Sequence, residues 1–358
     1  MATRTVPAEI RSVGLAGRIR GRPVVIGVIG LVALAVALVA AVTIGSTQIG
    51  PTDTIGVILR RALGLDLGGH WTAATETIVW ELRLPRALTA AVVGAGLAVA
   101  GATFQGIVRN PLADPYVLGT SSGAALGAAL AILLPIGLTV FTFGLVNLWA
   151  FVGALAAALL VFRLGGSGGA GGMTRLLLTG YAVGSILAAL LTMAMYVSGT
   201  NLRAIFSFLL GGLAGASWER LALAAPLILG ACLLIGLRAR SLDGLLLGDA
   251  AASHLGVDVG RERGILLVLA TMATAAAVAI TGLIGFVGLV VPHVVRLLVG
   301  ASARRVVPIS AIVGAVLLVL ADLVARLLGD VPVGVVMAIL GAPFFLVLLR
   351  QTRTGYEL

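Results

Sequence analysis

The chain has 358 residues, is 60% hydrophobic and 11% charged, and carries a formal net charge of +10. A water-soluble domain has roughly 25% charged residues, so this composition cannot dress a water-facing surface. All 24 basic residues are arginine, and without lysine there is neither a P-loop nor Schiff-base chemistry. Residues 1–23 hold Arg4, Arg11, Arg18, Arg20 and Arg22 with few apolar clusters, which predicts a cytoplasmic N-terminal arm. The apolar run Val24–Ile44 is longer than the roughly 7–15 residues of a signal-peptide core, so it predicts a first span and not a cleaved leader. After a polar stretch, further runs of about 20 apolar residues, the length of a bilayer-crossing helix, follow one another. They lie near 86–108, 115–134, 141–162, 176–198, 221–237, 264–281, 283–299, 306–326 and 333–349. The expected fold class is an all-α polytopic membrane protein. Its ten transmembrane helices occupy 24–350, and a cytoplasmic tail follows at 351–358.

Ten spans put both termini on one side, and charge tests that arrangement. Segments on the N-terminal side hold 17 of the 24 arginines and half of the 14 acids, so the whole net charge of +10 lies there. That is the asymmetry of a cytoplasmic face. Trp71, Trp80, Trp149 and Trp218 fall at outer ends, as interfacial anchors do. The arginines are dispersed among apolar segments, so the charge reads as orientation and not as a nucleic-acid surface. The single Cys232 allows no disulfide and no cysteine metal cluster within the chain. Gly119, Gly123 and Gly127 lie four apart in span 3, and Gly94–Gly101 crowd span 2; small residues at this spacing let helix backbones approach closely. The tract Gly165–Gly172 reads as a linking loop.

Several segments interrupt this pattern. Arg83-Leu84-Pro85-Arg86 precedes span 2 on the outer side, either as snorkelling anchors or as a cationic dock for acidic side chains of an external partner. Asp322 and Arg326 stand i, i+4 on span 9, followed by Asp330; an intrahelical pair is the simple reading, and Arg326 could extend the dock. Asn110-Pro111-Leu112-Ala113-Asp114-Pro115 is a rigid inner turn. Residues 245–256, LLLGDAAASHLG, are too short to span and lie on the arginine-rich side. They form either an interfacial helix or helices seated in a cytosolic partner. Gly282–Gly288 with Pro292 and His293 is a broken apolar segment, of the kind that lines a pathway. His293 lacks any partner for catalysis or metal binding in the sequence pattern. No Asp, Glu or Lys falls mid-span, where ion-coupled carriers keep such groups.

Together these stretches resemble the FecCD-type permease family of ABC importers, which serves iron-siderophores, cobalamin and haem. The resemblance covers about residues 77–350 and is carried by RLPR at 83–86, GAGLAVAGATFQGIVRNPLADPYVLGTSSGAALGA at 94–128 and LLLGDAAASHLGV at 245–257. It continues in GLIGFVGLVVPHVVR at 282–296, ADLVAR at 321–326 and PVGVVMAILGAPFF at 332–345. It implies a permease without catalysis or cofactor of its own, in a bacterial cytoplasmic membrane, paired with a second permease subunit. Spans 5 and 10 would line the path between them. Two cytosolic ATPase subunits would grip coupling helices at about 243–257, through Leu247, Gly248, Asp249, Ala252, Leu255 and Gly256. An extracytoplasmic substrate-binding protein would dock on Arg83, Arg86 and Arg326. Asn110, Leu112, Met173 and Thr174 match a cytoplasmic gate. Phe208 stands where the family often has Trp. A ferric siderophore is the leading expected cargo, ahead of haem and cobalamin.

Overall fold

The computed structural model describes residues 22–45, 47–65, 71–134, 144–165 and 172–353. Residues 1–21 of the expected arm, residues 166–171 of the glycine tract and residues 354–358 of the tail lie outside the described residues. Among the described residues all regular structure is helical, in fourteen helices: α1 Pro23–Thr43, α2 Pro51–Leu63, α3 Ala73–Val108, α4 Thr120–Leu133, α5 Leu145–Gly165, α6 Gly172–Val197 and α7 Leu202–Leu210. There follow α8 Trp218–Leu237, α9 Ala239–Leu246, α10 Asp249–His254, α11 Val259–Thr281, α12 Val287–Val299, α13 Ala303–Leu327 and α14 Val333–Arg353. Seven of them (α1, α3, α5, α6, α8, α11 and α13) are long and apolar enough to cross a membrane. Shorter apolar helices stand where the sequence predicts spans 3, 8 and 10.

Two differences from the sequence reading concern the stretch before span 2. The polar segment contains a helix of its own, α2, started by Pro51 and closed by the left-handed Gly64; Pro at a first helical position and Gly past the last are the expected stops. Span 2 begins thirteen residues earlier than residue 86, because Thr72 caps α3 by accepting the Thr75 N–H at 3.2 Å. The motif Arg83-Leu84-Pro85-Arg86 therefore lies inside a helix. Pro85 brings no N–H and its ring crowds the carbonyl four residues back. The helix absorbs this by widening to a π-turn over Ile78–Arg83, where the Leu84 N–H reaches back five residues to Val79.

Helix α3 is the axis of the molecule, buried along nearly its whole length from Pro85 to Ile107. Its neighbours come close because glycine faces glycine. A Cβ on Gly101 would stand 1.9 Å from the Gly288 carbonyl of α12, and one on Gly94 would stand 2.2 Å from that of Gly314 on α13. Gly123 and Gly127 of α4 meet α5 in the same way. Glycine spacing thus reports backbone contact, which is how helices associate where no water drives them together. By contrast α1 and α6 bury little, and residues such as Val28, Val32, Ile186 and Leu190 are exposed. An apolar exterior of this kind suits lipid or a further subunit and not water.

The broken segment before α12 is held by polar contacts from α3. Pro292 has no N–H for the carbonyl of Gly288, four residues back. The buried Gln105 supplies the missing donor: its Nε2 donates to Gly288 O at 3.1 Å and to Leu289 O at 3.2 Å. Arg296 completes the arrangement by donating to Gln105 Oε1 and, at 3.3 Å, to Ala102 O.

Candidate docking, gate and coupling surfaces

At one end of the bundle the structure brings Arg83, Arg86 and Arg326 to a single corner. They border a cavity of about 370 Å³ together with Thr47 and Asp330. The three arginines have different local tasks. Arg83 is only 7% exposed; its Nη1 donates to Val42 O at 3.0 Å and Thr43 O at 2.8 Å, and its Nη2 to Thr47 O. It closes the C-terminus of α1, where helix carbonyls have no intrahelical donor. Arg86 grips the buried Asp322, with Nε 3.0 Å and Nη2 2.9 Å from Oδ1, and its Nη1 donates to Asp330 at 3.0 Å. Arg326 donates to Ala41 O at 2.6 Å, with Nε 3.3 Å from Asp322. The intrahelical pair expected between Asp322 and Arg326 is present, but the closer partner of Asp322 is Arg86 on α3. The aspartate, 1% exposed, is paired because a lone buried charge is costly. Trp80 and Trp218 stack near this end, with centroids 5.1 Å apart.

The opposite end collects the other candidate residues. Helix α3 stops at Arg109, left-handed at φ 55, and Asn110 accepts the Leu112 N–H at 2.9 Å to shape the turn. Asp114 then caps the turn Pro115–Leu118 by accepting the Tyr116 N–H at 2.8 Å. Burial pushes its carboxyl up to about 6, against the pull of that hydrogen bond. Asn110 is exposed and Leu112 half-buried. Met173 and Thr174 open α6; Met173 packs beside the cluster containing Ile107 and Leu118, and Thr174 is exposed.

Residues 243–257 resolve into the end of α9, all of α10, and the turns around them. Leu247 and Leu255 are 68% and 65% exposed: two bare leucines flanking a six-residue helix. Asp249 and Gly256 are exposed and Gly248 is half-buried. Ala252 is fully buried and faces Gly244 of α9, so it seats α10 on its neighbour and does not present itself outward. Sequence reasoning passed over Asp243 of α9. Its carboxylate accepts the Ala303 N–H at 2.5 Å and the Ser302 hydroxyl at 3.0 Å, so it caps α13 from another helix. Only the exposed N-terminus of a long helix signalled the need for such a cap. Arg238 pairs with Glu262 at 2.7 Å across the base of α8 and α11. His293 packs edge-on against Phe344. Among the described residues, no group of three or more His, Cys, Asp or Glu is placed to hold a metal ion.

The chain is similar to known proteins over most of its length. A family model described as the FecCD transport family matches residues 31–351. The cobalamin import system permease protein BtuC of Halobacterium salinarum is 40% identical over 331 residues, covering 89% of this chain and 88% of its own. The hemin transport system permease protein HmuU of Yersinia pestis is 39% identical over 310 residues, covering 82% and 91%. A solved structure, described as an inward-facing conformation of a metal-chelate type ABC transporter, aligns with a TM-score of 0.79 at 31% identity. That alignment covers 92% of this chain and 99% of the other.

Proposed function

Because the chain belongs to the FecCD transport family, we propose that it is the membrane-spanning permease subunit of an ATP-driven importer of a metal chelate. It works with a second permease subunit, two cytosolic ATPase subunits and an extracytoplasmic binding protein, in a ten-span topology with both termini cytoplasmic. The observation that carries this reading is α10. It is a short exposed helix flanked by Leu247 and Leu255, at the arginine-rich end of a chain that has no lysine for a P-loop of its own. The sparsely buried α6, which exposes Tyr181 and Tyr196 with its leucines, and α14 line the path between the two permeases. Asn110, Leu112, Met173 and Thr174 close that path on the inside.

The cargo is a large chelate selected mainly by the binding protein, and a ferric siderophore is the specific proposal. Cobalamin is the second reading, favoured by the 40% identity to a cobalamin permease. Uptake of labelled ferric siderophores, hemin and cobalamin in cells with and without the gene, under iron limitation, separates them. Loss of one ferric chelate alone supports the first reading; loss of cobalamin alone replaces it with the second. Entry of all three at full rate in the deleted strain and in strains also lacking related permeases would overturn the chelate class.

Docking uses the outer corner. Arg83 and Arg86 have internal partners, so reversing both charges would disturb the fold as well as the dock; a milder pair of variants is informative. Asp330 is exposed and holds the outward N–H of Arg86, the position an acidic side chain of the binding protein would take. Asp330→Asn should tighten docking several-fold at low salt, and Arg86→Gln should weaken it. Unchanged affinity in both returns the arginines to a purely structural role.

A further inference from the structure

We propose that the ion pair between Arg109 and Asp249 is a positioning link that makes the inner gate turn move with α10. The inference rests on the reading of α10 as an ATPase-contacting helix and adds a mechanical connection to it. Arg109 both caps the C-terminus of α3, just past Val108, and opens the turn carrying Asn110 and Leu112; its left-handed backbone sets the direction of that turn. The same residue's Nη2 donates to Asp249 Oδ1 at 2.8 Å. Asp249 is the first residue of α10, so the contact joins turn and helix end to end.

Two further observations show that the contact is built in. Gly248, just before α10, has φ 105, and a Cβ there would stand 3.2 Å from Arg109 Nη1. A side chain at that position would crowd the guanidinium and strain the backbone. The same Asp249 Oδ1 also accepts a hydrogen bond from Arg263 Nη2 of α11, at 2.8 Å. The carboxylate therefore stands at the meeting point of three elements. Helix α9 is tied elsewhere, to the start of α13 through Asp243. Among the described residues, no other ion pair or hydrogen bond joins α10 to the 109–114 turn.

Arg109 and Asp249 are 43% and 50% exposed. Pairs of that kind add little to stability, so their variants should fold, and any effect would be one of position. The test uses the full transporter with both ATPase subunits, carrying Cys232→Ala and a reporter cysteine, Leu112→Cys. The readout is the rate of labelling by a water-soluble maleimide, with and without ATP and vanadate. With the pair intact, the nucleotide should change that rate several-fold. Arg109→Gln should abolish most of the change while ATP hydrolysis and co-purification of the ATPase subunits persist, and Asp249→Asn should abolish the change to the same extent. The double variant should be no worse than either single one, and Arg109→Lys should recover most of the response. A full response in either single variant overturns the link. So does loss of the ATPase subunits from Arg109→Gln when the parent keeps them, which would make the pair a docking contact. If the protein with its pair intact retains no ATPase subunits, the importer reading itself falls, a result distinct from the others.

Discussion

Asp114 is a single side chain whose environment sets a testable pH dependence. Burial, which penalises the charged form, pushes its carboxyl up from the ordinary 3.8 to about 6 in the folded protein. A group raised on folding contributes stability that is complete below the unfolded value and is lost as pH rises through the folded one. Asp114→Asn keeps an oxygen to accept the Tyr116 N–H but carries no charge. The variant should therefore melt above the parent at pH 8 and close to it near pH 4, measured by thermal unfolding in detergent. An equal shift at both values would show that the carboxyl is not lifted. Asp114 was legible in the sequence as a turn residue only; its raised carboxyl depends on what folds over it. The same limit applies to Asp322, where sequence spacing supplied the Arg326 partner. It could not supply Arg86, which is 236 residues away.

At the scale of helices, the broken segment and α3 form one unit. Gln105 donates to the Gly288 carbonyl that Pro292 leaves without a partner, and an unsatisfied buried carbonyl costs about 1–3 kcal/mol. Gln105→Leu should therefore destabilise the protein by about that much. In a Pro292→Ala background, the restored N–H can reach Gly288, and the same substitution should cost less. Thermal or denaturant unfolding of the four proteins in this cycle gives the coupling; equal costs in both backgrounds would mean that Gln105 does not serve that carbonyl. The glycine pattern was readable beforehand as close packing, and the backbone contacts at Gly94 and Gly101 agree with it. Which helix lay opposite each glycine was not readable, because small-residue spacing marks a face and not its partner.

For the whole molecule, the prediction concerns sidedness. If both termini are cytoplasmic, a reporter that works only in the cytoplasm should be active when fused after Leu358 and silent when inserted after Gly64. A silent C-terminal fusion with an active one at Gly64 would invert the topology and move α10 away from any cytosolic ATPase. The internal contacts agree with a two-ended bundle. Arg83 and Arg326 reach the C-terminal end of α1, and Arg86 reaches that of α13, at one end. Asp243 and Asp249 tie α9 and α10 to α13, α3 and α11 at the other.

The sequence by itself determined the membrane class, the positions of the apolar helices, the arginine-rich side and the short helical interruption near 245–257. Each follows from local composition: hydropathy over about 20 residues and charge counted between spans need no knowledge of neighbours. Its motifs also placed Arg83, Arg86, Arg326 and the 110–115 turn in a recognisable family pattern. Tertiary structure decided what those groups touch. It set Arg83 on the end of α1, clamped Arg86 on Asp322, turned Ala252 inward, and joined Arg109 to Asp249. The polar contacts among these cross from 40 to 236 residues of chain. A charged group buried at such a crossing takes whichever partner the packing of helices brings within hydrogen-bonding reach, because leaving it unpaired costs more than any local preference can return.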